Sequence, residues 1–372
     1  MEAYDLVVVG GGFAGLSCAQ TASERGLKTL VLEKKAASGV LPHTTGIVVK
    51  EVADIWNIPK QFTRKLDGIR LYAPSFEYVD LTSPDHYFLA TDTSALQSWM
   101  AEKTEAAGAS IRYQVLFHYA NAADGEIHIE QHKISTRYMV GCDGAESRVA
   151  RNFNLDSNDS FLFGIEAVYK GVKNINDDHL HVFLDSALAP GYMAWLIPGD
   201  GVTQIGLAVR TPRVPKLDNF ISKISALFNF DNAELIESRT GLIPNSGCLS
   251  SFAKENVMLL GDAAGMASPL SAGGIHPSVE LSRIAGIAIS DYLLENGPSP
   301  ETVLKKVMPN YRYKKGMRNV VDLLNVENKN YDRFINNYLF KSLAKTMFFH
   351  HRDLFSWNTW KDVVTDVKAV GF

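Results

Sequence analysis

The stretch Asp5-Leu6-Val7-Val8-Val9-Gly10-Gly11-Gly12-Phe13-Ala14-Gly15 decides the fold of this chain. An apolar, β-branched run at 5–9 meets a glycine turn, residues 13–25 have helical character, and residues 29–32 are strand-like again. Gly26 stands where such a helix ends. The order strand, turn, helix, strand is a βαβ unit, and Gly10, Gly12 and Gly15 within it satisfy GxGxxG. The first glycine allows the tight turn, the second lets backbone approach a pyrophosphate, and the third lets helix and strand pack closely. Phe13 and Ala14 open the helix, whose N-terminal amides favour phosphate. Glu33 ends the second strand about 20 residues on, where a carboxylate accepts the hydroxyls of an adenosine ribose. Turn, strands and acid together predict a dinucleotide site. They leave open which dinucleotide, and Lys34 beside Glu33 adds positive charge at the ribose edge.

The chain has 372 residues, 46% of them hydrophobic, and a formal net charge of -4. That is enough apolar material for one large or two modest cores, so a two-domain globular enzyme is expected. Positive and negative side chains are interspersed, without the single-signed field that nucleic acid requires. Cys18, Cys142 and Cys248 lie far apart with no CxxC pair, which predicts free thiols in a reducing compartment and no metal site. No secretory signal opens the sequence, and no apolar run reaches the roughly 18 residues of a membrane span. A cytoplasmic protein with at most peripheral membrane contact is expected.

Beyond the first unit, strand-length segments at 69–72 and 78–81 read as an antiparallel pair, and a helix is predicted over 94–107. From 161 to 209 strand follows strand, with turns such as Pro198-Gly199-Asp200-Gly201 between them. A parallel-type strand returns at 257–260, followed by mostly helical sequence. The cofactor domain is therefore expected to be discontinuous, at 1–68, 92–155 and 256–298, with a substrate domain at 69–91 and 156–255 and a helical region at 299–372.

Two later segments bear on the cofactor. Gly141-Cys142-Asp143-Gly144-Ala145-Glu146-Ser147-Arg148 and Gly261-Asp262-Ala263-Ala264-Gly265 both follow strands and lead toward helices. With the first motif they resemble the three fingerprints of the flavoprotein family that includes the aromatic hydroxylases, flavin-dependent halogenases and geranylgeranyl reductases. The resemblance covers about the first 300 residues. It implies an α/β chain with a Rossmann-type FAD-binding domain of the aromatic-hydroxylase kind, an inserted antiparallel sheet domain and a C-terminal helical cap. It further implies that Asp262 binds the ribityl chain of FAD, and that Asp143 and Gly144 shape the pyrophosphate and nicotinamide approach. In Pro269-Leu270-Ser271-Ala272-Gly273-Gly274-Ile275-His276, relatives often carry glycine where Ala272 stands. Pro277 suits the first position of a helix running to about residue 294. Amides at that terminus, around Gly273, Gly274 and Ile275, would stabilise negative charge on the reduced flavin. Relatives commonly place an arginine before the 94–107 helix, where this chain has Thr93.

Residues 190–198, Pro190-Gly191-Tyr192-Met193-Ala194-Trp195-Leu196-Ile197-Pro198, resemble a segment of geranylgeranyl reductases whose aromatic residues line an isoprenoid tunnel. Pro190, Gly191, Trp195 and Pro198 align, and Tyr192 is displaced by one position, which on a strand reverses its face. Met193 stands where halogenases have the first tryptophan of a related box, and no residue matches their lysine. The loop Leu41-Pro42-His43-Thr44-Thr45-Gly46 lacks the cysteine of the reductases. The resemblance implies hydride transfer from flavin N5 to a hydrophobic, isoprenoid-like substrate, with His43, Tyr192 or His276 as candidate proton donors and Trp195, Met193 and Pro198 at the substrate. For the two histidines a surface or capping role is the competing explanation, and for Trp195 an ordinary core position. The competing reactions are monooxygenation, in which reduced flavin captures oxygen, and halogenation; a flavin-binding module without catalysis is the non-enzymatic alternative. NAD(P)H or an electron-donor protein is the expected source of electrons.

At the C-terminal end Phe334, Tyr338, Leu343 and Met347 recur at helical spacing, followed by Phe348, Phe349, Leu354, Phe355, Trp357 and Trp360. This stripe is expected to be the core face of a helical cap, with a lipid-docking face as the alternative.

Overall fold

The Glu2–Val9 strand forms at once from its apolar, β-branched run and lies inside an eight-stranded sheet. The computed structural model describes residues 1–84, 86–176, 178–312, 314–316, 318–319 and 328–349. Two compact units divide the chain: Met1–Phe62, Thr91–Leu162 and Gly241–Lys315 make the first, and Thr63–Ala90, Phe163–Thr240 and Gly316–Phe372 the second.

In the first unit the strands run in the order Ala253–Lys254, Val257–Leu259, Ile134–Gly141, Glu2–Val9, Thr29–Leu32, Ser110–Arg112. All neighbours from Val257–Leu259 to Ser110–Arg112 pair in parallel. Strands buried on both faces must be apolar throughout, which is why Leu6, Val7, Val8, Met139, Val140, Met258 and Leu259 are all wholly enclosed. Helices Phe13–Glu24 and Ile275–Glu295 pack together, and Gly286 admits the contact, since a Cβ there would lie 2.9 Å from the Cys18 carbonyl. This is a Rossmann-like parallel sheet of the expected α/β class. The second helix begins at Ile275, so Pro277 is its third residue rather than its first. The substitution costs nothing there, because first-turn N–H groups have no intrahelical partner.

In the second unit seven strands run in the order Glu234–Pro244, Phe161–Lys170, Thr203–Arg210, Ala194–Pro198, His179–Phe183, Gly68–Tyr72, Tyr78–Thr82. Pairing is antiparallel along the hairpins, as at Tyr78–Thr82 on Gly68–Tyr72, but His179–Phe183 runs parallel to Gly68–Tyr72. The parallel pair arises because these two strands are joined by a long crossover through the other unit rather than by a turn. One sheet face carries Tyr72, Phe183, Ala194, Leu196, Ile205 and Leu207 into a core closed by Leu217, Phe220 and Ile224 of the Leu217–Ile224 helix.

The expected C-terminal stripe is corrected in its register. Phe334 and Leu343 are 42% and 46% exposed while Ile335 and Ala344 beside them are buried; Phe348 and Phe349 are buried as expected. A break between helices Asn328–Phe334 and Tyr338–Phe349 separates Phe334 from the others, and within the second helix the step from Tyr338 to Leu343 is longer than the i+3 or i+4 that keeps side chains on one face. Phe349 packs instead on His86 and Phe88, with centroids 5.3 and 5.5 Å away. Leu354, Phe355, Trp357 and Trp360 lie outside the described residues. No helix among the described residues is long and apolar enough to cross a membrane.

Candidate functional site

Three glycine-bearing turns meet at the C-terminal ends of adjacent parallel strands in the first unit. Gly10 adopts φ +108°, and a side chain there would place Cβ 2.3 Å from the Cys142 carbonyl, so the first turn is seated on the second. A Cβ on Gly15 would come within 1.9 Å of the Gly10 carbonyl, which fixes glycine as the helix passes the strand end. The third turn closes on the first at Gly261, whose Cβ would lie 2.9 Å from that of Ala14. Ligands of open α/β sheets bind at this edge.

Around this convergence several groups face outward to a ligand rather than to protein. A Cβ on Gly12 or on Gly144 would meet nothing within 4 Å, so both turns present bare backbone to open space. Glu33 is 7% exposed and is aimed by two amides: Gly11 N–H donates to Oε2 at 2.6 Å and Lys35 N–H to Oε1 at 2.8 Å. Lys34 is exposed beside it. The Asp143 carboxylate accepts from Ser147 Oγ at 2.6 Å and from the Arg148 and Val149 amides at 2.6 and 3.2 Å, so it caps the Arg148–Phe153 helix and stiffens the loop that carries Gly144. Asp262 receives no protein hydrogen bond on its carboxylate among the described residues, and burial pushes its pKa up to about 6. A half-buried acid with no protein donor on its carboxylate among the described residues, bare glycine turns and a carboxylate held by two backbone amides fit FAD.

Ala272 is the departure with a visible cost. It takes φ +52°, the left-handed conformation that glycine adopts without penalty, so the backbone keeps its course despite the methyl group. The loop is tied by Ser268 N–H to the Gly273 carbonyl at 3.1 Å and by Ala272 N–H to the Ser268 carbonyl at 2.9 Å. Gly274 then caps the Ile275–Glu295 helix without any side-chain bond to its first-turn amides. His276 on that helix faces Glu280 at 3.9 Å. Thr93 has a different task from the arginine of relatives: with Thr91, whose Oγ1 donates to the Gly46 carbonyl at 2.8 Å, it packs on Gly46 at the end of the His43 loop. His43 itself is exposed, near Gly241.

Asn158 was not legible in the sequence. Its Nδ2 donates to the Ala145 carbonyl at 2.9 Å and to the Asp262 carbonyl at 2.8 Å, stapling the second turn to the third. A lone Asn in the polar segment Leu155-Asp156-Ser157-Asn158 carries no signal of such a partnership.

In the second unit Tyr192 and Met193 precede the Ala194–Pro198 strand, in a turn where Tyr192 N–H bonds the Ala189 carbonyl at 3.0 Å. Strand alternation therefore does not govern the direction of Tyr192. The Arg318 guanidinium donates to the Gly191 carbonyl beside it. Burial raises the Tyr192 pKa, keeping the phenol protonated. Trp195 is half-buried, and Pro198 ends the strand. Its indole Nε1 donates to Glu166 Oε2 at 2.6 Å.

The FAD binding domain family matches residues 3–290. This chain belongs to that family. It is accordingly an FAD-dependent oxidoreductase. It is 26% identical over 316 residues to the digeranylgeranylglycerophospholipid reductase of Methanosarcina acetivorans, covering 77% of this chain and 75% of the relative. Digeranylgeranylglycerophospholipid reductase 2 of Methanopyrus kandleri is 28% identical over 326 residues, covering 80% and 79%. In fold it is similar to a geranylgeranyl bacteriochlorophyll reductase-like protein from Thermoplasma acidophilum, with a TM-score of 0.80 at 21% identity over 90% of this chain and 91% of that one.

Proposed function

We propose that this FAD-dependent oxidoreductase reduces carbon–carbon double bonds of an isoprenoid substrate. The observation that carries the reading is the similarity to digeranylgeranylglycerophospholipid reductases over more than three quarters of the chain. The Pro190 to Pro198 segment supports it, because its half-buried tryptophan offers apolar surface suited to a prenyl chain.

On this reading Glu33 holds the adenosine ribose, the backbone at Gly10, Gly12, Phe13, Ala14 and Gly15 receives the pyrophosphate, and Asp143 keeps Gly144 in place to complete that cradle. Asp262 accepts from the ribityl hydroxyls, and the amides at Gly273, Gly274 and Ile275 face the flavin edge with the positive end of the helix dipole. Bound and reduced, FAD supplies the hydride. The second hydrogen arrives as a proton, for which Tyr192, half-buried in the turn before the Ala194–Pro198 strand, is one candidate, although burial makes its phenol a weaker acid. His43 and His276 are the other two candidates, the former exposed to solvent and the latter beside Glu280. Electrons come from NAD(P)H or a reduced partner protein.

The test is anaerobic reduction of the purified holoenzyme with dithionite, followed by mixing with geranylgeranyl diphosphate or with oxygenated buffer. Reoxidation by the prenyl compound without oxygen, with saturated product, is the expected result. Reoxidation that needs oxygen and is accelerated by substrate, or by halide, would refute the reductase reading in favour of monooxygenation or halogenation.

A further inference from the structure

The sheet of the second unit carries a charged row that runs straight across four adjacent strands, on the face opposite its aromatic core. Trp195 stands on Ala194–Pro198, and its cross-strand neighbour on Thr203–Arg210 is Gly206. A Cβ built on Gly206 would lie 2.6 Å from Trp195 Cζ2, 2.7 Å from Cε2 and 2.7 Å from the Ile165 carbonyl of the neighbouring strand. The indole therefore occupies the space where a side chain on Gly206 would stand, and it reaches past Gly206 to Glu166 on the next strand. Glu166 Oε2 accepts from the indole Nε1 at 2.6 Å, while Oε1 accepts from Arg239 Nε and Nη2 at 2.9 and 2.5 Å. Arg239, on the edge strand Glu234–Pro244, also donates to Gln204 Oε1 at 3.1 Å. Glu166 and Arg239 are only 4% and 9% exposed.

Stability alone is a poor reason for this arrangement. Desolvating a carboxylate and a guanidinium offsets most of their mutual attraction, and an apolar pair of equal volume serves a core as well. What an apolar pair cannot do is accept the indole N–H. Without an acceptor the N–H would be buried unsatisfied, and the ring would turn away from the sheet. Gly206 has the complementary role, because any side chain there lifts the ring. An isolated glycine inside a strand marks a close approach of this kind.

We propose that Glu166, clamped by Arg239, is a positioning residue that holds the Trp195 indole against Gly206, and that the ring so held sets the depth of the surface on which the prenyl chain rests. The second half of the proposal rests on the reductase reading above; the first half does not. Glu166 and Gly206 then determine specificity without touching substrate, and Trp195 is the group that meets it.

Two readouts on the holoenzyme test the proposal. Trp195 emission, taken as the difference between the parent and Trp195→Phe, reports ring position with no substrate present. KM and kcat for geranylgeranyl diphosphate with dithionite-reduced enzyme report the surface. Glu166→Gln, which weakens the charge-assisted hydrogen bond to the indole, and Gly206→Ala, which displaces the ring, are each expected to shift the Trp195 emission and raise KM by up to about tenfold, while kcat stays within about twofold. In a Trp195→Leu background, Gly206→Ala is expected to change KM no further. Gly206→Ala keeps Glu166 and Arg239 but also meets the Ile165 carbonyl, and the Trp195→Leu background separates that backbone effect from the indole's part if Glu166→Gln fails to fold. Unchanged Trp195 emission in Gly206→Ala overturns the positioning role. A KM effect of Gly206→Ala that persists without the indole, or shifted emission with KM unchanged, overturns the specificity role. Wild-type enzyme that leaves the prenyl probe unreduced sinks the reductase reading and the specificity role with it, and emission then decides the positioning role alone.

Discussion

Replacing Asp262 by Asn should stabilise the FAD-free protein at neutral pH while weakening its hold on FAD. Burial lifts the Asp262 carboxyl from an ordinary 3.8 to about 6. In the unfolded chain the group returns to its ordinary value. Below pH 4 both states are protonated and the group contributes nothing. Between pH 4 and 6 the folded state keeps a proton that the unfolded state has lost, so stability falls as pH rises, and above pH 6 the full cost is present. Two pH units at 1.36 kcal/mol each give at most about 3 kcal/mol, and partial solvent access reduces this to about 1–2 kcal/mol. Asn carries no charge to desolvate. Scanning calorimetry of FAD-free Asp262→Asn should therefore give a Tm about 1–3 °C above the parent at pH 7.5, shrinking to about a third of that at pH 4.5. The same Tm difference at both values would refute the reasoning. FAD should show the opposite preference, because ribityl hydroxyls donate to the ionised carboxylate. Its affinity for the parent should weaken as pH falls through about 6, whereas the weaker affinity of Asp262→Asn should be flat over that range.

The two glycines of the first motif should separate folding from binding. Gly12 has φ -84° and open space at its Cβ, so Gly12→Ala should fold with stability changed by less than about 1 kcal/mol yet lose FAD affinity by equilibrium dialysis. Gly15→Ala, which would press a methyl group 1.9 Å from the Gly10 carbonyl, should lose soluble expression or unfold many degrees earlier. Asn158→Ala removes two hydrogen bonds between the second and third turns, roughly 1–3 kcal/mol, and should weaken FAD at least about tenfold; unchanged FAD dissociation would show that the staple does not order the site. Glu166→Ala, which strands the Arg239 charge, should cost about 3–5 kcal/mol in denaturant unfolding, and Glu166→Leu with Arg239→Met should recover most of it.

Much of the cofactor domain could be read from the chain alone, because its signals are local. A strand buried on both faces must be continuously apolar, a turn that passes under a pyrophosphate must be glycine, and an acid must follow at the end of the next strand. Those requirements fall on consecutive residues, so Gly10, Gly12, Gly15 and Glu33 were legible as a set. The second and third turns were legible for the same reason, at Gly144 and Asp262. The stripe misled at Phe334, which a break at 335–337 cuts off from the next helix, and at Leu343, which the step from Tyr338 carries off the buried face of that helix.

The sequence by itself determined the βαβ unit and the order of the three turns, since each is written in residues close together. Only the tertiary structure decided which distant groups meet. Asn158 meets Asp262 across 104 positions, and Glu166 meets Arg239 across 73. Ala272 takes a glycine's conformation because the loop around it leaves no other course. A hydrogen bond or ion pair of this kind depends on how strands are ordered in a sheet, and strand order is set by the packing of whole faces rather than by any run of neighbouring residues.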